Sequence, residues 1–300
     1  MNSPVFTSEF PSLRTVQSLW AMEDLPKGKE EWSLEQQIEE VEQASYSAVA
    51  VDLGAKKAPS ARRLAEVLAG SPLERIVFTF AGTDESLAQS LAYADMIGAQ
   101  EMVLCASFYE QDIDKAAVRI LRWHEQAAAA GVELQLETHR NTITNDMRFT
   151  RRLVEVLDPQ VKLAIDLSHY IVGAEIPVIP TEEIEGQIAG ILSRAGSLQG
   201  RIASRCQVQL PLDFPSAEPW IELSRRWWRQ GFSAILRGRT RAELQAPVTF
   251  VTELGTTPYA LVDRRGDEIS DRWADALQLV EWAKDDLHAA YLDLQNSSSV

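Results

Sequence analysis

Two stretches of the chain decide its fold: VELQLETH at residues 132–139 and KLAIDLSH at residues 162–169. In each, apolar side chains alternate with polar ones, which predicts a β-strand with two unlike faces. An antiparallel sheet with one solvated face would show the same alternation. In a closed parallel barrel the apolar set faces the helices and the polar set points inward, where carboxylates are costly to bury unless they are paired or bind a metal.

Short apolar, β-rich runs recur along the whole chain, and helical patterns lie between them. The predicted strands are 15–22, 48–53, 75–81, 101–107, 132–139, 162–169, 198–207 and 247–255. The predicted helices are 33–43, 60–69, 85–97, 113–130, 149–157, 181–194, 219–229 and 269–284. Ser33 with Gln36 is typical of a helix start, and Gly131 of a helix end.

This alternation favours one α/β domain over residues 1–300, a single (β/α)8 TIM barrel. We expect the barrel to cover about 15–285 and a short disordered C-terminal tail to cover 295–300. A doubly wound sheet would need fewer units or a visible second domain, and no linker rich in Pro, Gly or Ser marks one.

Charge and composition exclude several classes of protein. The 300 residues carry 29 Lys and Arg against 44 Asp and Glu, a formal net charge of −15, which disfavours nucleic acid and anionic membranes as partners. No apolar run approaches the roughly 18 residues of a membrane span, and the N-terminus does not resemble a signal peptide. We therefore expect a cytoplasmic protein.

Cysteines and arginines are the other compositional features. The two cysteines, Cys105 and Cys206, are too few for a disulfide framework or a four-cysteine zinc site, and we expect both to be small buried hydrophobes. Nine arginines cluster toward the C-terminal half, and we expect most of them on a solvated helix face. They are Arg194, Arg201, Arg205, Arg225, Arg226, Arg229, Arg237, Arg239 and Arg241.

Polar residues gather at the C-terminal ends of the late predicted strands, where (β/α)8 barrels build their active sites. They are Glu137, His139, Asp166, His169, Arg201, Arg205, Gln207, Gln209 and Glu253. Oxygen ligands with one or two nitrogens suit Mn²⁺ or Mg²⁺. Two glutamates beside a carbonyl sugar could remove and return a proton. Each carboxylate taken singly could equally be a salt-bridged strand end.

At these residues the chain resembles the xylose isomerase-like TIM barrel family, the sugar phosphate isomerase/epimerase group. The similar segments are LETHR with NTIT at 136–144, IDLSH at 165–169, TFVTELGTTPY at 249–259 and SLWAM at 18–22 followed by WSLE at 32–35. The resemblance covers about residues 15–285. It implies a role in carbohydrate metabolism, as an isomerase or epimerase of a sugar, keto-sugar or polyol that uses a divalent metal (Mn, Mg, Co or Zn).

The resemblance also implies roles for individual residues. Glu137 and Glu253 would be metal ligands and the acid–base pair, and Asp166 a further ligand. His169 and Arg205 would contact substrate. From their positions, His139 and Arg140 are candidates to orient Glu137 or to bind a hydroxyl or acidic group of the substrate, and Trp20 could stack on a sugar face or pack in the core.

The histidine ligand of the family is absent. Where the family tends to read His-x-His-Ala-Arg on the seventh strand, this chain has RIASR at residues 201–205. A guanidinium has no lone pair for a cation. Either Gln207 or Gln209 supplies a weak oxygen ligand to a retained metal, which we slightly favour, or Arg201 neutralises the carboxylates itself. The second outcome would make the chain a metal-free enzyme or a non-catalytic barrel that binds a small polar ligand.

Two other activities fit less well. A retaining glycosidase also uses a barrel and two carboxylates, but its glutamates commonly follow the fourth and seventh strands. A metal-dependent phosphodiesterase of this fold would need more histidine ligands than this chain has. We expect a small sugar-like substrate, and we keep a homo-oligomer as an option.

Overall fold

The computed structural model describes residues 10–240 and 243–298, and it contains a closed barrel of eight parallel strands. Each strand pairs with the next in sequence, and β8 closes the barrel by pairing with β1 from Leu13↔Val248 to Gln17↔Thr252. The strands are β1 Leu13–Ser18, β2 Ala48–Asp52, β3 Glu74–Ala81, β4 Glu101–Ala106, β5 Glu133–Glu137, β6 Lys162–Ile165, β7 Ala195–Gly200 and β8 Val248–Thr252. The predicted (β/α)8 barrel is confirmed.

Helices follow the strands on the outside of the barrel. They are α1 Leu34–Gln43, α2 Ala61–Val67, α3 Asp84–Ile97, α4 Ile113–Ala129, α5 Met147–Val156, α6 Ser168–Gly173, α7 Glu182–Leu192, α8 Glu218–Arg237 and α9 Arg272–Ser298. Ser33 and Gln36 form the predicted capping box of α1. Gly131, with φ of 75°, makes the turn that leads from α4 into β5. Among the described residues, no helix is both long and apolar enough to cross a membrane.

The strand alternation separates two hydrophobic cores. Leu134 and Leu136 of β5 belong to the large core between the barrel and its helices, as do Leu163 and Ile165 of β6. A second, smaller core fills the barrel with residues from the opposite faces of the strands. Its members are Val16, Ala48, Ala50, Ile76, Phe78, Val103, Ala164 and Val251. The polar residues of β5 and β6 therefore share the inner face, as the barrel interpretation requires.

Strands β6 and β7 end earlier than the sequence predicted. Strand β6 ends at Ile165, because the side chain of Asp166 accepts from the backbone N–H of Ser168 and turns the chain. His169 therefore lies in the short helix α6, which was not predicted. Strand β7 ends at Gly200, so Cys206 lies in the following loop and is exposed; the prediction that it is buried is wrong. Cys105 is buried in β4, as predicted.

The last helix, α9, continues to Ser298, past the position where a disordered tail was expected to begin. Buried Leu294 anchors this end, and the hydroxyl of Ser297 donates to the carbonyl oxygen of Asp293. Residues 299 and 300 lie outside the described residues.

The arginine-rich stretch does not form one solvated face. Arg225 and Arg229 both pair with buried Asp286 of α9, because α8 packs along α9, and Arg226 pairs with Glu185 of α7. Arg201 is only 3% exposed. Arg241 lies outside the described residues.

Candidate active site at the carboxyl end of the barrel

Four charged side chains from consecutive strands meet inside the mouth of the barrel. Glu137 is the last residue of β5, and Asp166, Arg201 and Glu253 each directly follow the end of β6, β7 and β8. All four are at most 6% exposed. Each of the four side chains falls on the inward-facing side of its strand, because successive side chains alternate between the two faces. Residues far apart in sequence therefore share one buried space.

Glu137 is buried, and among the described residues one side chain donates a hydrogen bond to its carboxyl group. The thiol of Cys105, on the neighbouring strand β4, donates to Oε2 of Glu137 over 2.9 Å. Burial raises the pKa of Glu137 well above its ordinary value, and the negative charges of Glu253 and Asp166 raise it further. Burial and the charge of Glu137 likewise raise the pKa of the Cys105 thiol, so it remains a protonated donor.

Arg201 lies between the other two carboxylates. Its Nη1 is 3.4 Å from Oδ2 of Asp166, and its Nη2 is 3.1 Å from Oε2 of Glu253. Its Nε donates to the main-chain oxygen of Glu253 over 2.8 Å, which holds the guanidinium in place. Burial lowers the pKa of Arg201, but the two carboxylates outweigh this and raise it overall.

The carboxylate oxygens facing Arg201 are incompletely satisfied. Oδ2 of Asp166 and Oε2 of Glu253 are within ion-pair distance of the guanidinium, yet neither has a partner in hydrogen-bond geometry. Burial raises the pKa of Glu253 to about 8, although the charge of Arg201 opposes this. Buried acceptors without donors are unfavourable, so this space is suited to a ligand that brings hydroxyl groups.

Two histidines line the next side of the cluster. Nδ1 of His139 donates to the carbonyl oxygen of Arg140, and the two imidazole rings lie 3.9 Å apart between centroids. Nε of Arg140 donates to Nδ1 of His169 over 3.0 Å. Burial lowers the pKa of His139 to about 4 and lowers the pKa of His169 well below its ordinary value, so both imidazoles are neutral near pH 7. The proton of His169 is therefore on Nε2, 3.4 Å from Oδ2 of Asp166.

Two aromatic rings cover the cluster from the solvent side. The Tyr259 ring lies 4.8 Å from the guanidinium carbon of Arg201 and packs edge-on against Trp20, with centroids 5.0 Å apart. Trp20 in turn packs on the loop after β8, where a Cβ on Gly255 would lie 2.1 Å from its ring. The predicted substrate residue Trp20 is thus at the site, and Tyr259 is a contact that the sequence analysis missed.

Asp52, at the end of β2, is a fourth carboxylate of the mouth, and the sequence analysis missed it. Its negative charge helps raise the pKa of both Glu137 and Glu253, and burial raises its own pKa to about 6. The strand-end rule that identified Glu137 would also have found Asp52 if applied to the early strands. Asp52 and Trp20 also line a cavity of about 190 Å³ beside the cluster, together with Glu23, Trp32 and Lys57.

Three predicted site residues lie elsewhere or have other partners. Arg205 is half-exposed and pairs with Glu175, so the structure does not place it at the carboxylates, because the loop after β7 turns away at Ser204. The side-chain oxygen of Gln207 accepts from the Ser204 hydroxyl. Gln209 is buried and donates to the carbonyl oxygen of Gly255, which leaves its own side-chain oxygen without a donor.

Two groups of side chains among the described residues are compact enough to hold a metal ion. One is Glu137 with Asp166 and His169, and the other is Glu137 with Cys105 and His139. Glu253 belongs to neither group, since Arg201 lies between it and Asp166. The ligand set expected from the sequence, Glu137, Asp166 and Glu253, is therefore not brought together as one compact group.

Comparisons with known proteins identify the fold. No protein-family model matches the chain, and no curated protein matches its sequence. An L-ribulose 3-epimerase structure has a TM-score of 0.60 at 14% identity, over 95% of this chain and 98% of that one. A D-allulose 3-epimerase from Methylomonas sp., in complex with D-allulose, has a TM-score of 0.59 at 15% identity, over 92% and 98%.

A third similar structure is a xylose isomerase-like TIM barrel protein from Mycobacterium smegmatis in complex with magnesium. Its TM-score is 0.54 at 15% identity, over 93% of this chain and 98% of that one. At such identities the similarity shows the fold alone. The resemblance to xylose isomerase-like TIM barrels is thus confirmed at the level of fold.

Proposed function

We propose that this protein is an isomerase or epimerase of a sugar, keto-sugar or polyol-like substrate, which moves a proton at a carbon next to a carbonyl. The observation that carries the proposal is the pair of buried carboxyl groups, Glu137 and Glu253, with raised pKa values. The negative charge of Glu253 opposes ionisation of Glu137, so Glu253, with a pKa of about 8, can act as the base while Glu137 keeps its proton. The sugar epimerases that share the fold support this substrate class.

These two groups move the carbon-bound protons. The ionised glutamate takes the proton from the carbon beside the carbonyl, and the electron pair of that C–H bond forms an enediolate. In epimerisation the protonated glutamate then delivers its proton to the opposite face of the same carbon. In isomerisation it delivers the proton to the former carbonyl carbon, and the hydroxyl proton of the first carbon passes to the former carbonyl oxygen. The pair ends with its proton on the other glutamate, and exchange with water restores the starting state.

Unpaired acceptors in the site fit a polyhydroxylated substrate. Oδ2 of Asp166, Oε2 of Glu253 and the side-chain oxygen of Gln209 are buried without a hydrogen-bond donor, and sugar hydroxyls would supply donors. The neutral imidazoles of His139 and His169, together with Arg140, provide further polar contacts.

Access to the carboxylates requires the aromatic cover to move. Glu137 and Asp166 are each 1% exposed, and Tyr259 and Trp20 lie over the cluster. A cavity of about 190 Å³ is lined by Trp20 and Asp52. We therefore place substrate entry at Trp20, with its ring available to stack on an apolar sugar face.

The divalent metal implied by the resemblance fits these residues poorly. The position of the family's histidine ligand is taken by Arg201, which cannot bind a metal ion. Its guanidinium already contacts two of the three expected carboxylate ligands, Asp166 and Glu253. The proton transfers therefore use the residues of the chain alone. The cytoplasmic location, the lack of nucleic-acid or membrane partners and the homo-oligomer option remain predictions.

A second candidate function is a non-catalytic barrel that binds a small polar ligand. The observation in its favour is that Arg201 contacts both Asp166 and Glu253. Its positive charge neutralises these carboxylates without a bound metal. A binding protein would retain its ligand unchanged, whereas an enzyme would exchange a carbon-bound proton with water.

The test is incubation of the protein with a panel of ketoses and aldoses in D₂O, followed by NMR. The proposed function predicts loss of the C–H signal next to the carbonyl for at least one sugar, with formation of its epimer or isomer. Ligand-induced stabilisation by a sugar without deuterium incorporation would support the binding protein instead.

A further inference from the structure

We propose that the guanidinium of Arg201 is the resident cation of this site, which works without a divalent metal. The metal-binding part of this inference stands on geometry alone, and the catalytic part rests on the proposed function. In that reaction Arg201 would stabilise the negative oxygen of the enediolate, the task for which a bound metal is otherwise suited.

The positive charge of Arg201 lies between two carboxylates. Nη1 and Nη2 of Arg201 face Oδ2 of Asp166 and Oε2 of Glu253 at 3.4 and 3.1 Å. A metal ion bridging those two oxygens would have to displace the guanidinium. Displacement is costly, because a buried guanidinium that loses its carboxylates would be an uncompensated buried charge.

Main-chain and aromatic contacts hold the guanidinium of Arg201. Its Nε hydrogen bond to the main-chain oxygen of Glu253 fixes the guanidinium independently of any carboxylate. The rings of Tyr259 and Trp20 lie 4.8 and 5.8 Å from the guanidinium carbon, distances at which aromatic faces stabilise a cation. With an exposure of 3%, Arg201 is shielded from solvent.

The two compact groups that could hold a metal elsewhere in the mouth have contacts of their own. In one, Nδ1 of His169 accepts a hydrogen bond from Arg140, and Nε2 of His169 lies 3.4 Å from Oδ2 of Asp166. In the other, the Cys105 thiol donates a hydrogen bond to Oε2 of Glu137. A metal ion at either group would have to replace these contacts.

The experiment measures metal binding directly, by calorimetric titration with Mn²⁺ and with Mg²⁺ and by the change in melting temperature. It compares the wild-type protein with Arg201→His and Arg201→Gln. Histidine adds a nitrogen ligand where the guanidinium was, and glutamine removes the charge without adding that nitrogen. We expect no saturable binding and no rise in melting temperature for the wild type, and saturable Mn²⁺ binding at one ion per chain for Arg201→His.

Saturable binding of Mn²⁺ or Mg²⁺ to the wild-type protein, lost in Asp166→Asn, would overturn the proposal. Absence of binding in both the wild type and a folded Arg201→His would overturn the role of Arg201 in excluding metal. Should Arg201→His fail to fold, the wild-type titration decides, supported by turnover that survives treatment with EDTA. Because titration needs no turnover, a failure of the proposed function would leave its outcome unaffected and distinguishable.

Discussion

Arg201 contacts Glu253 twice, through a hydrogen bond from Nε to its main-chain oxygen and through Nη2 at 3.1 Å from its carboxylate. The side chain of Arg201, just after β7, thus positions both the backbone and the carboxylate of Glu253, just after β8. A site residue held in this way on rigid strands keeps its geometry without a bound ligand. The chemistry of the mouth depends on that arrangement.

Glu137→Gln and Glu253→Gln should each reduce turnover by about 10²–10⁴-fold, since each substitution removes a group that gains or loses a proton. The measurement is the rate of deuterium incorporation at the carbon next to the carbonyl. The matched control is Glu133→Gln, at the exposed opposite end of the same strand as Glu137. Activity like that of the wild type in either glutamine variant would refute the acid–base assignment.

Cys105→Ala should slow turnover and raise the pKa of Glu137, because it removes the only hydrogen-bond donor described for that carboxyl group. Cys105→Ser keeps a donor and should behave much like the wild type. The readout is the pH–rate profile, whose limb assigned to Glu137 should move to higher pH in the alanine variant alone. Equal profiles for the two variants would mean that Cys105 only fills space.

The contribution of Glu253 to the stability of the wild type should fall as pH rises from about 4.3, the ordinary pKa of a glutamate in the unfolded chain, toward 8. In the folded protein burial raises the pKa of Glu253 to about 8, so the native state binds more protons than the unfolded state in this window. Glu253→Gln removes this loss, and its free energy of unfolding relative to the wild type should increase by on the order of 1 kcal/mol between pH 5 and 8.

Urea denaturation at the two pH values measures this difference. Glu222→Gln, an exposed position on α8, is the control and should follow the wild type. A pH dependence in Glu253→Gln identical to that of the wild type would contradict the burial of an ionisable Glu253.

Arg272→Met should destabilise the fold by about 3 kcal/mol, since it leaves several buried acceptors without a donor. Arg272 is 1% exposed, pairs with Glu268, and donates to the carbonyl oxygens of Leu254, Glu23 and Ala21. It thereby ties the start of α9 to the loops after β1 and β8. Chemical denaturation measures the change, and Arg265→Ala, at a largely exposed side chain, should cost less than about 0.5 kcal/mol.

The sequence alone determined the fold and the end of the barrel at which the site lies. Period-two alternation in β5 and β6 is a local property of strands with two unlike faces, and the succession of eight strand–helix units favours a closed barrel. Because the carboxyl ends of parallel strands meet at one rim, the positions of Glu137, Asp166 and Glu253 in their strands were enough to place all three at the same end of the barrel.

Only the tertiary structure decided what surrounds those carboxylates. The strand pattern could place Arg201 at the rim, but not show that its guanidinium lies between Asp166 and Glu253, because that depends on side-chain rotamers and on barrel closure. The same holds for Tyr259, which reaches the site from a loop without periodicity. Arg205 was expected beside Arg201 and instead pairs with Glu175, since strand β7 ends at Gly200 and the chain turns away. Periodicity along a strand is local, whereas contacts between strand ends are set by packing.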